Sequence, residues 1–366
     1  MGRKPSQNRG FANTGLPAVQ HNGAGQRVAP GGETQGCNAS PHACPRYSVR
    51  GLVVTRWISL LSDKAVSKPR DTAAGARLLV LVLALSWGFN WIFTAFALKE
   101  VPPWSLRFAT TGIGALALIV AVYLSGRSLN VTRSELKHIA LAGTFNVAVF
   151  NICAAFAQLS GATSRTIIIT YSMPIWSAVG AWLVLGDRMD RVRVLALALC
   201  IGGLTILLWP LFAAGVPRGA LFALGSAFGW TIATVYLKWA DLGIDPLVNA
   251  AWQLAIGTVL ITGGMLMIEG TPHLWPIGLR TTLAIAFIGF IGSGLEHFLW
   301  WAIVGKLPTM TASLGSLLVP VVGVTASVFI LGEQPTLNDV LGFAMIFAAA
   351  ACVLLQPGVK HTEMPE

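Results

Sequence analysis

Glu296 and His297 stand side by side inside an apolar run that covers 282–304. An ionisable residue at that depth in a hydrophobic segment pairs with another group or lines a path for ions or substrate. Gly289, Ser293, Glu296 and Trp300 recur at helical spacing and form one stripe, expected to face the protein interior. His297 points about 100° away from that stripe at ~3.6 residues per turn. A buried carboxylate such as Glu296 can change its protonation, as a proton-coupled exporter needs. The plainer alternative is a Glu–His lock between two helices.

Two further stretches, "TIIITYSMPIWSAVGAWLVLGDR" (166–188) and "SLLVPVVGVTASVFILGEQ" (316–334), each carry a proline within an apolar run. A proline inside a helix cannot donate to the carbonyl four residues back. That carbonyl belongs to Thr170 for Pro174 and to Ser316 for Pro320. In lipid a freed carbonyl needs a hydroxyl, a water or a ligand. Thr163, Thr170, Pro174 and Ser177 fall on one stripe, and Thr309, Ser313, Ser316 and Pro320 on another. The expectation is that both prolines break their helices at matching depth and that the breaks line one polar site. The alternative is a pair of packing kinks.

Ser86, Asn90 and Thr94 follow one another at i, i+4 and i+8, with Trp87 and Trp91 on the adjacent stripe. Small polar groups on an apolar helix face protein or water rather than lipid. Trp230 is expected to complete the aromatic wall from the second half. Asn146, Asn151, Gln158, Asn249 and Gln253 add uncharged donors and acceptors. Together they suit a zwitterionic or polyhydroxy solute better than a hydrocarbon, although each amide alone fits an interhelical hydrogen bond equally well. Arg107 enters one turn into its span, where it either snorkels to the interface or binds a substrate carboxylate. The candidate substrate site is thus Asn90, Trp91, Thr170, Pro174, Trp230, Gln253, Ser316 and Pro320. Arg107, Glu296 and His297 are the candidates for substrate contact or coupling.

The elements that must hold these residues are membrane helices. Of 366 residues, 54% are hydrophobic and only 11% charged, and the mean hydropathy is +0.68. A soluble domain carries about a quarter charged residues. A bilayer core needs ~20 apolar residues per helix. The qualifying segments are 78–98, 104–124, 139–158, 166–185, 192–209, 219–238, 247–268, 282–304, 309–331 and 338–355. Solid runs rather than short alternating ones exclude a barrel. With the N-terminus inside, thirteen Lys/Arg fall in inside loops (Arg127, Arg188, Lys306 and Lys360 among them) and four outside, at Lys99, Arg165, Arg218 and Arg280. That asymmetry places both termini in the cytoplasm.

The chain repeats itself at an offset of 146 residues. Pro174 maps onto Pro320, Gly186-Asp187 onto Gly332-Glu333, Thr163 onto Thr309 and Thr170 onto Ser316. More loosely, "SWGFNWIFTAFALK" (86–99) resembles "SAFGWTIATVYLK" (226–238). Five spans per half put the second half in the membrane upside down. The expected fold is therefore all-α and integral to the membrane, with ten transmembrane helices as two inverted-topology five-helix repeats, an architecture of secondary transporters. With "SWGFNW", "PPWSLRFATTG" and the two Pro…Gly-acid blocks, the sequence resembles the drug/metabolite transporter superfamily, EamA type, over 78–356. It departs from that pattern at Asp187, where Glu is usual, and at "AAWQL" (250–254), where the first half has "SLRFA". The resemblance implies a bundle around a central substrate cavity, buttressed by the fifth and tenth helices, and leaves the substrate open.

The expected organisation is a basic tail over 1–77, repeats over 78–209 and 219–355, and a short cytoplasmic tail over 356–366. Residues 1–77 hold eleven Lys/Arg and three Asp/Glu, so most of the +10 net charge sits there. Rich in Gly, Pro, Asn, Gln and Ser, the tail is expected to be disordered. It carries no folded basic motif for nucleic acid. No methionine lies between Met1 and Met173, so a start at a non-Met codon near Val53 or Val54 would remove it. Cys37, Cys44, Cys153, Cys200 and Cys352 have no metal-ligand spacing, and no cofactor or metal is expected. His138 and His273 are placed in loops. "GSAFG" (225–229) permits close helix approach, for internal packing or a homodimer face. The absence of a Walker A motif argues against nucleotide hydrolysis by the chain itself. The expected function is secondary transport, with export of small polar metabolites such as amino acids by alternating access across the cytoplasmic membrane. The partners are then a small-molecule substrate, the lipid bilayer and, for a coupled exporter, protons. A membrane scaffold or sensor, or an intramembrane enzyme, would leave the paired halves without a purpose.

Overall fold

The computed structural model describes residues 69–186, 190–213, 218–304 and 309–354, and every regular element among them is helical. Ten helices follow in chain order among these residues. They are α1 Pro69–Ala97, α2 Pro103–Leu124, α3 Arg133–Leu159, α4 Thr163–Leu185 and α5 Arg191–Ala213, then α6 Arg218–Ala240, α7 Pro246–Ile268, α8 over 279–304, α9 Thr309–Leu331 and α10 Leu337–Leu354. By length and composition α2, α3, α4, α6, α7 and α8 can each cross a membrane, and α1, α5, α9 and α10 carry shorter apolar stretches. The chain is a multi-span membrane protein. Expectations resting on 1–68, Asp187, Arg188, Lys306 and Lys360, and on the side chains of Thr309, Ser313 and Ser316, lie outside the described residues.

Local chemistry sets the helix starts. Proline opens α1, α2 and α7, where a missing N–H costs nothing. Helix α1 begins at Pro69 rather than at 78, so 69–77 is helical rather than part of the tail. A capping box opens α3: the Thr132 side chain accepts from Glu135 N–H and the Glu135 carboxylate accepts from Thr132 N–H. This start brings His138 into α3 rather than a loop, with its Nδ1 2.6 Å from the Tyr236 hydroxyl.

The helix contacts follow the repeat. Helix α1 packs on α9, and its mate α6 on α4. Helix α3 packs on α6, and α8 on α1; α2 packs on α8, and α7 on α3. Helices α2 and α7 also pack on each other, as do α5 and α10. Exchanging the halves therefore maps each contact onto another or onto itself. Between lipid-embedded helices the driving force is close packing rather than hydrophobic burial. The α2–α8 and α7–α3 crossings achieve it in the same way. Each places a glycine (Gly114 or Gly257) against a π-helical turn, Ile288–Leu295 in α8 and Thr144–Val149 in α3.

The Gly-acid pairs end α4 and α9. Gly186 and Gly332 take φ values of 72° and 71°, the left-handed region that stops a helix. Glu333 then turns to another helix: its carboxylate accepts the N–H groups of Thr163 (2.6 Å) and Ser164 (2.9 Å) at the start of α4. Glu269, after α7, does the same for Trp104 (2.9 Å) and Ser105 (2.8 Å) at the start of α2. Glu100, after α1, accepts from Gly278 N–H, and with the Thr281 hydroxyl this holds its carboxyl below the usual carboxylate range. Beside Glu333, Arg165 meets the Asp339 carboxylate through Nε and a terminal nitrogen. Replacing Glu333 by alanine leaves two N–H groups at the start of α4 without their acceptor. The expected loss is about 1–2 kcal/mol, the scale of a lost helix cap, read as a lower midpoint of thermal unfolding in detergent.

Candidate functional site

A cavity lined by both halves lies within the bundle. Helix α1 contributes Trp87, Asn90, Trp91 and Thr94, and α2 contributes Arg107. Helix α3 supplies Phe150, Asn151 and Ala154, and α4 supplies Tyr171 and Met173. Trp230 of α6, Leu254 of α7 and the Gly292–Ser293 and Glu296–His297 pairs of α8 close it. On its aromatic side Trp87 and Trp230 line the cavity, and Trp300 packs against both without lining it. The ring centroids are 5.7 Å apart for Trp87–Trp230, 5.6 Å for Trp87–Trp300 and 5.2 Å for Trp230–Trp300. Trp91 meets Tyr171 edge-on at 6.3 Å.

The polar side is under-satisfied. Arg107 is only 4% exposed, so it does not snorkel, and its Nε has no hydrogen-bond partner among the described residues. Glu296 is fully buried, and neither carboxylate oxygen meets a donor in good geometry. Ser86 lies beside it, but that hydroxyl donates to the Val82 and Leu83 carbonyls at 2.9 and 3.1 Å. Asn90 Oδ1 is likewise buried and unpartnered. Nearly all buried polar groups in folded proteins are hydrogen-bonded. A buried cation, a buried acid and an amide oxygen around one cavity therefore form a set suited to a ligand carrying both donors and acceptors.

The structure places the sequence-derived candidates in two groups. Asn90, Trp91, Arg107, Trp230, Glu296 and His297 all line this cavity. Thr170, Pro174, Gln253 and Pro320 do not. Helix α4 does break, at Tyr171–Ser172, before Pro174. The Thr170 hydroxyl pairs with Ser226 at 3.0 Å. Ser172 bridges the break by donating to the Ile169 carbonyl at 2.6 Å and accepting from Trp176 Nε1 at 3.0 Å. Helix α9, by contrast, runs unbroken through Pro320, which is buried. A proline removes one hydrogen bond, but neighbouring groups decide whether the helix bends or parts. The matching breaks expected at Pro174 and Pro320 are thus corrected to one break in α4, and it reaches the cavity through Tyr171 and Met173.

Sequence reasoning passed over Phe150, Ala154, Tyr171, Met173, Leu254 and Gly292. Phe150 and Ala154 flank Asn151 at helical spacing, a usable signal. Tyr171 sits at the break itself, a phenol three residues before a mid-span proline. Among the described residues no group of three or more His, Cys, Asp or Glu could hold a metal ion. Cys153, Cys200 and Cys352 are free thiols.

A helical membrane bundle closed around an aromatic and charged cavity defines the class. The chain belongs to the EamA-like transporter family, which it matches over 75–209 and again over 217–355. It is 26% identical to a Salmonella typhimurium protein named "Probable amino-acid metabolite efflux pump", over 74% of this chain and 91% of that one. Identity to an uncharacterized transporter of Bacillus subtilis, YoaV, is 24%, over 73% of this chain and 92% of the relative. An Escherichia coli protein, also named "Probable amino-acid metabolite efflux pump", is 23% identical, over 73% and 91% of the two chains. A solved crystal structure shares the fold with a TM-score of 0.58 at 21% identity, covering 77% of this chain and 98% of that one. Family and relatives indicate a transporter.

Proposed function

We propose that the protein is a secondary transporter that exports small polar metabolites, amino acids among them, across the cytoplasmic membrane by alternating access. The observation that carries this reading is that Arg107, with its Nε unpartnered, and Glu296, with both carboxyl oxygens unpartnered among the described residues, line one cavity. Arg107 receives the substrate carboxylate in the planar, two-pronged geometry that guanidinium favours. Glu296 as a carboxylate faces the substrate ammonium and takes a proton from the outer water when the substrate leaves, which it releases inside, so export is coupled to a proton gradient. The indoles of Trp87, Trp91 and Trp230, which line the cavity, take the apolar part of the solute. The relatives named as efflux pumps support both the direction and the solute class. The count of positive charges in the loops supports cytoplasmic termini. The two repeats, over 78–209 and 219–355, rock about the cavity.

The test is flux of labelled amino acids and other small polar metabolites through purified full-length protein in liposomes, with and without an imposed pH gradient. Selective flux that responds to the gradient is expected. Glu296→Gln should retain solute exchange and lose the response to the gradient. Gradient-driven flux undiminished in Glu296→Gln would remove Glu296 from the coupling step.

A further inference from the structure

Behind the cavity wall a chain of amides runs from α8 through α3 into α7. Asn146 Nδ2 lies 3.2 Å from His297 Nε2 and donates to Gln253 Oε1 at 3.1 Å. Gln253 Nε2 in turn donates to Asn249 Oδ1 at 3.0 Å. Asn146 and Gln253 are both fully buried, and Asn146 sits within the π-helical turn of α3. A π-turn inside a helix frequently marks a functional site.

The donor order as placed makes the imidazole an acceptor at Nε2, and leaves Asn146 Oδ1 buried without a partner among the described residues. Gln253 turns its NH2 toward Asn249, so it presents its carbonyl oxygen to Asn146. Asn146 must then answer with its own NH2, since two carbonyl oxygens at that distance repel. The same NH2 faces His297 Nε2. An amide NH2 only donates, so in this order Nε2 is the ring's acceptor and a neutral ring carries its proton on Nδ1. The network admits one other self-consistent order. In it, His297 donates from Nε2 to Asn146 Oδ1, Gln253 donates to Asn146, and Asn249 donates to Gln253. Reversal requires three amides to turn together, and it requires Nε2 to carry a proton.

We propose that Asn146 is a positioning residue: backed by Gln253 and Asn249, it fixes the His297 proton on Nδ1, so that the imidazole meets the cavity as a hydrogen-bond donor. The charged and titratable groups that share the cavity with His297 are Arg107 of α2, Tyr171 of α4 and Glu296 of α8. The Trp230 ring lies edge-on to the imidazole at 6.3 Å. The α3 and α7 residues in this chain are amides, so the ring's donor order is set by hydrogen bonds rather than by a counter-ion on those helices. Protonation of Nε2 reverses the chain and carries the change to Asn249, one turn into α7. The bearing of this arrangement on transport rests on the reading above.

The experiment is a ¹⁵N spectrum of full-length, histidine-labelled protein in lipid nanodiscs, with His297→Gln used to assign the ring. In the wild type the Nε2 signal is expected to be that of an unprotonated nitrogen and Nδ1 that of an N–H. Asn146→Asp keeps the shape of the side chain and offers His297 an acceptor, so the proton should move to Nε2. Asn146→Leu should leave a mixture of tautomers. A wild-type ring protonated on Nε2, or a tautomer unmoved by Asn146→Asp, overturns the proposal. In liposomes loaded with labelled neutral L-amino acids, Asn146→Asp is expected to slow exchange about tenfold, the scale of one misdirected buried hydrogen bond. If the wild type moves none of these solutes, the transport reading fails, while the nitrogen spectrum still decides the role of Asn146.

Discussion

Replacing Arg107 by methionine is expected to abolish amino-acid flux and to leave the protein as stable as before, or more so. The two halves of that statement have one physical origin. A guanidinium buried without a counter-ion lowers the stability of the fold that holds it, so exchange for an apolar side chain of similar length removes a cost. Arg107 is in that position, 4% exposed with Nε unpartnered. The same group, when a carboxylate arrives, makes charge-assisted hydrogen bonds roughly twice as strong as neutral ones. Loss of such a contact, at about 3 kcal/mol, corresponds to more than a hundredfold in binding. Arg107→Lys keeps the charge but not the planar fork, and should recover only a minor part of the flux. The check is flux in liposomes measured alongside thermal unfolding of the same preparations. A variant that unfolds earlier and transports in proportion to its folded fraction would make Arg107 structural.

Gly257→Ala and Gly114→Ala are expected to destabilise the protein, although alanine is the better helix former by about 1 kcal/mol. A Cβ at Gly257 would overlap Cβ and Cγ1 of Val147. One at Gly114 would stand 2.7 Å from Ser293 Cβ and 3.0 Å from the Gly294 nitrogen. The obstructing atoms are backbone, a Cβ, or a methyl of a β-branched side chain, all within the two π-helical turns. They cannot swing aside as the end of a long side chain can. Overpacking of this kind costs about 1–3 kcal/mol, which outweighs the gain in propensity. Gly263 supplies the control on the same helix as Gly257: an added Cβ there meets nothing within 4 Å. Gly263→Ala should be neutral or mildly stabilising. The three variants, compared by thermal unfolding in detergent, separate packing from propensity. Equal behaviour of Gly257→Ala and Gly263→Ala would show that the α7–α3 contact yields.

The elements were legible because lipid demands long apolar helices, and a segment of that length announces itself in the sequence. The exchange of halves could be read from Pro174 and Pro320 with their Gly-acid pairs, and the helix contacts follow the same pairing. The depth of Glu296 and His297 was also legible, since an ionisable pair in an apolar run has few explanations. The fate of the two prolines was not. Whether a helix parts at proline depends on groups such as Ser172 and Trp176, whose engagement only the folded chain reveals. Thr170 illustrates the same limit, because its hydroxyl had a choice between its own helix and Ser226 on α6. Gln253 was singled out for its chemistry and stands one layer behind the cavity, bonded to Asn146 rather than facing solute. Residue type pointed to a polar neighbourhood, and helix rotation decided which member of it met the cavity.

The carboxylates at the helix starts bear on the order in which the protein can be completed. Glu269 serves Ser105 across 164 positions of chain, and Glu333 serves Thr163 across 170. During synthesis α2 and α4 emerge long before the acids that finish them. Until then their first N–H groups must be met by water or lipid headgroups at the bilayer surface. The N-terminal half is therefore an unfinished object that waits for the C-terminal half to be made. The two halves mature together, and the last acid to arrive closes a helix that entered the membrane near the beginning.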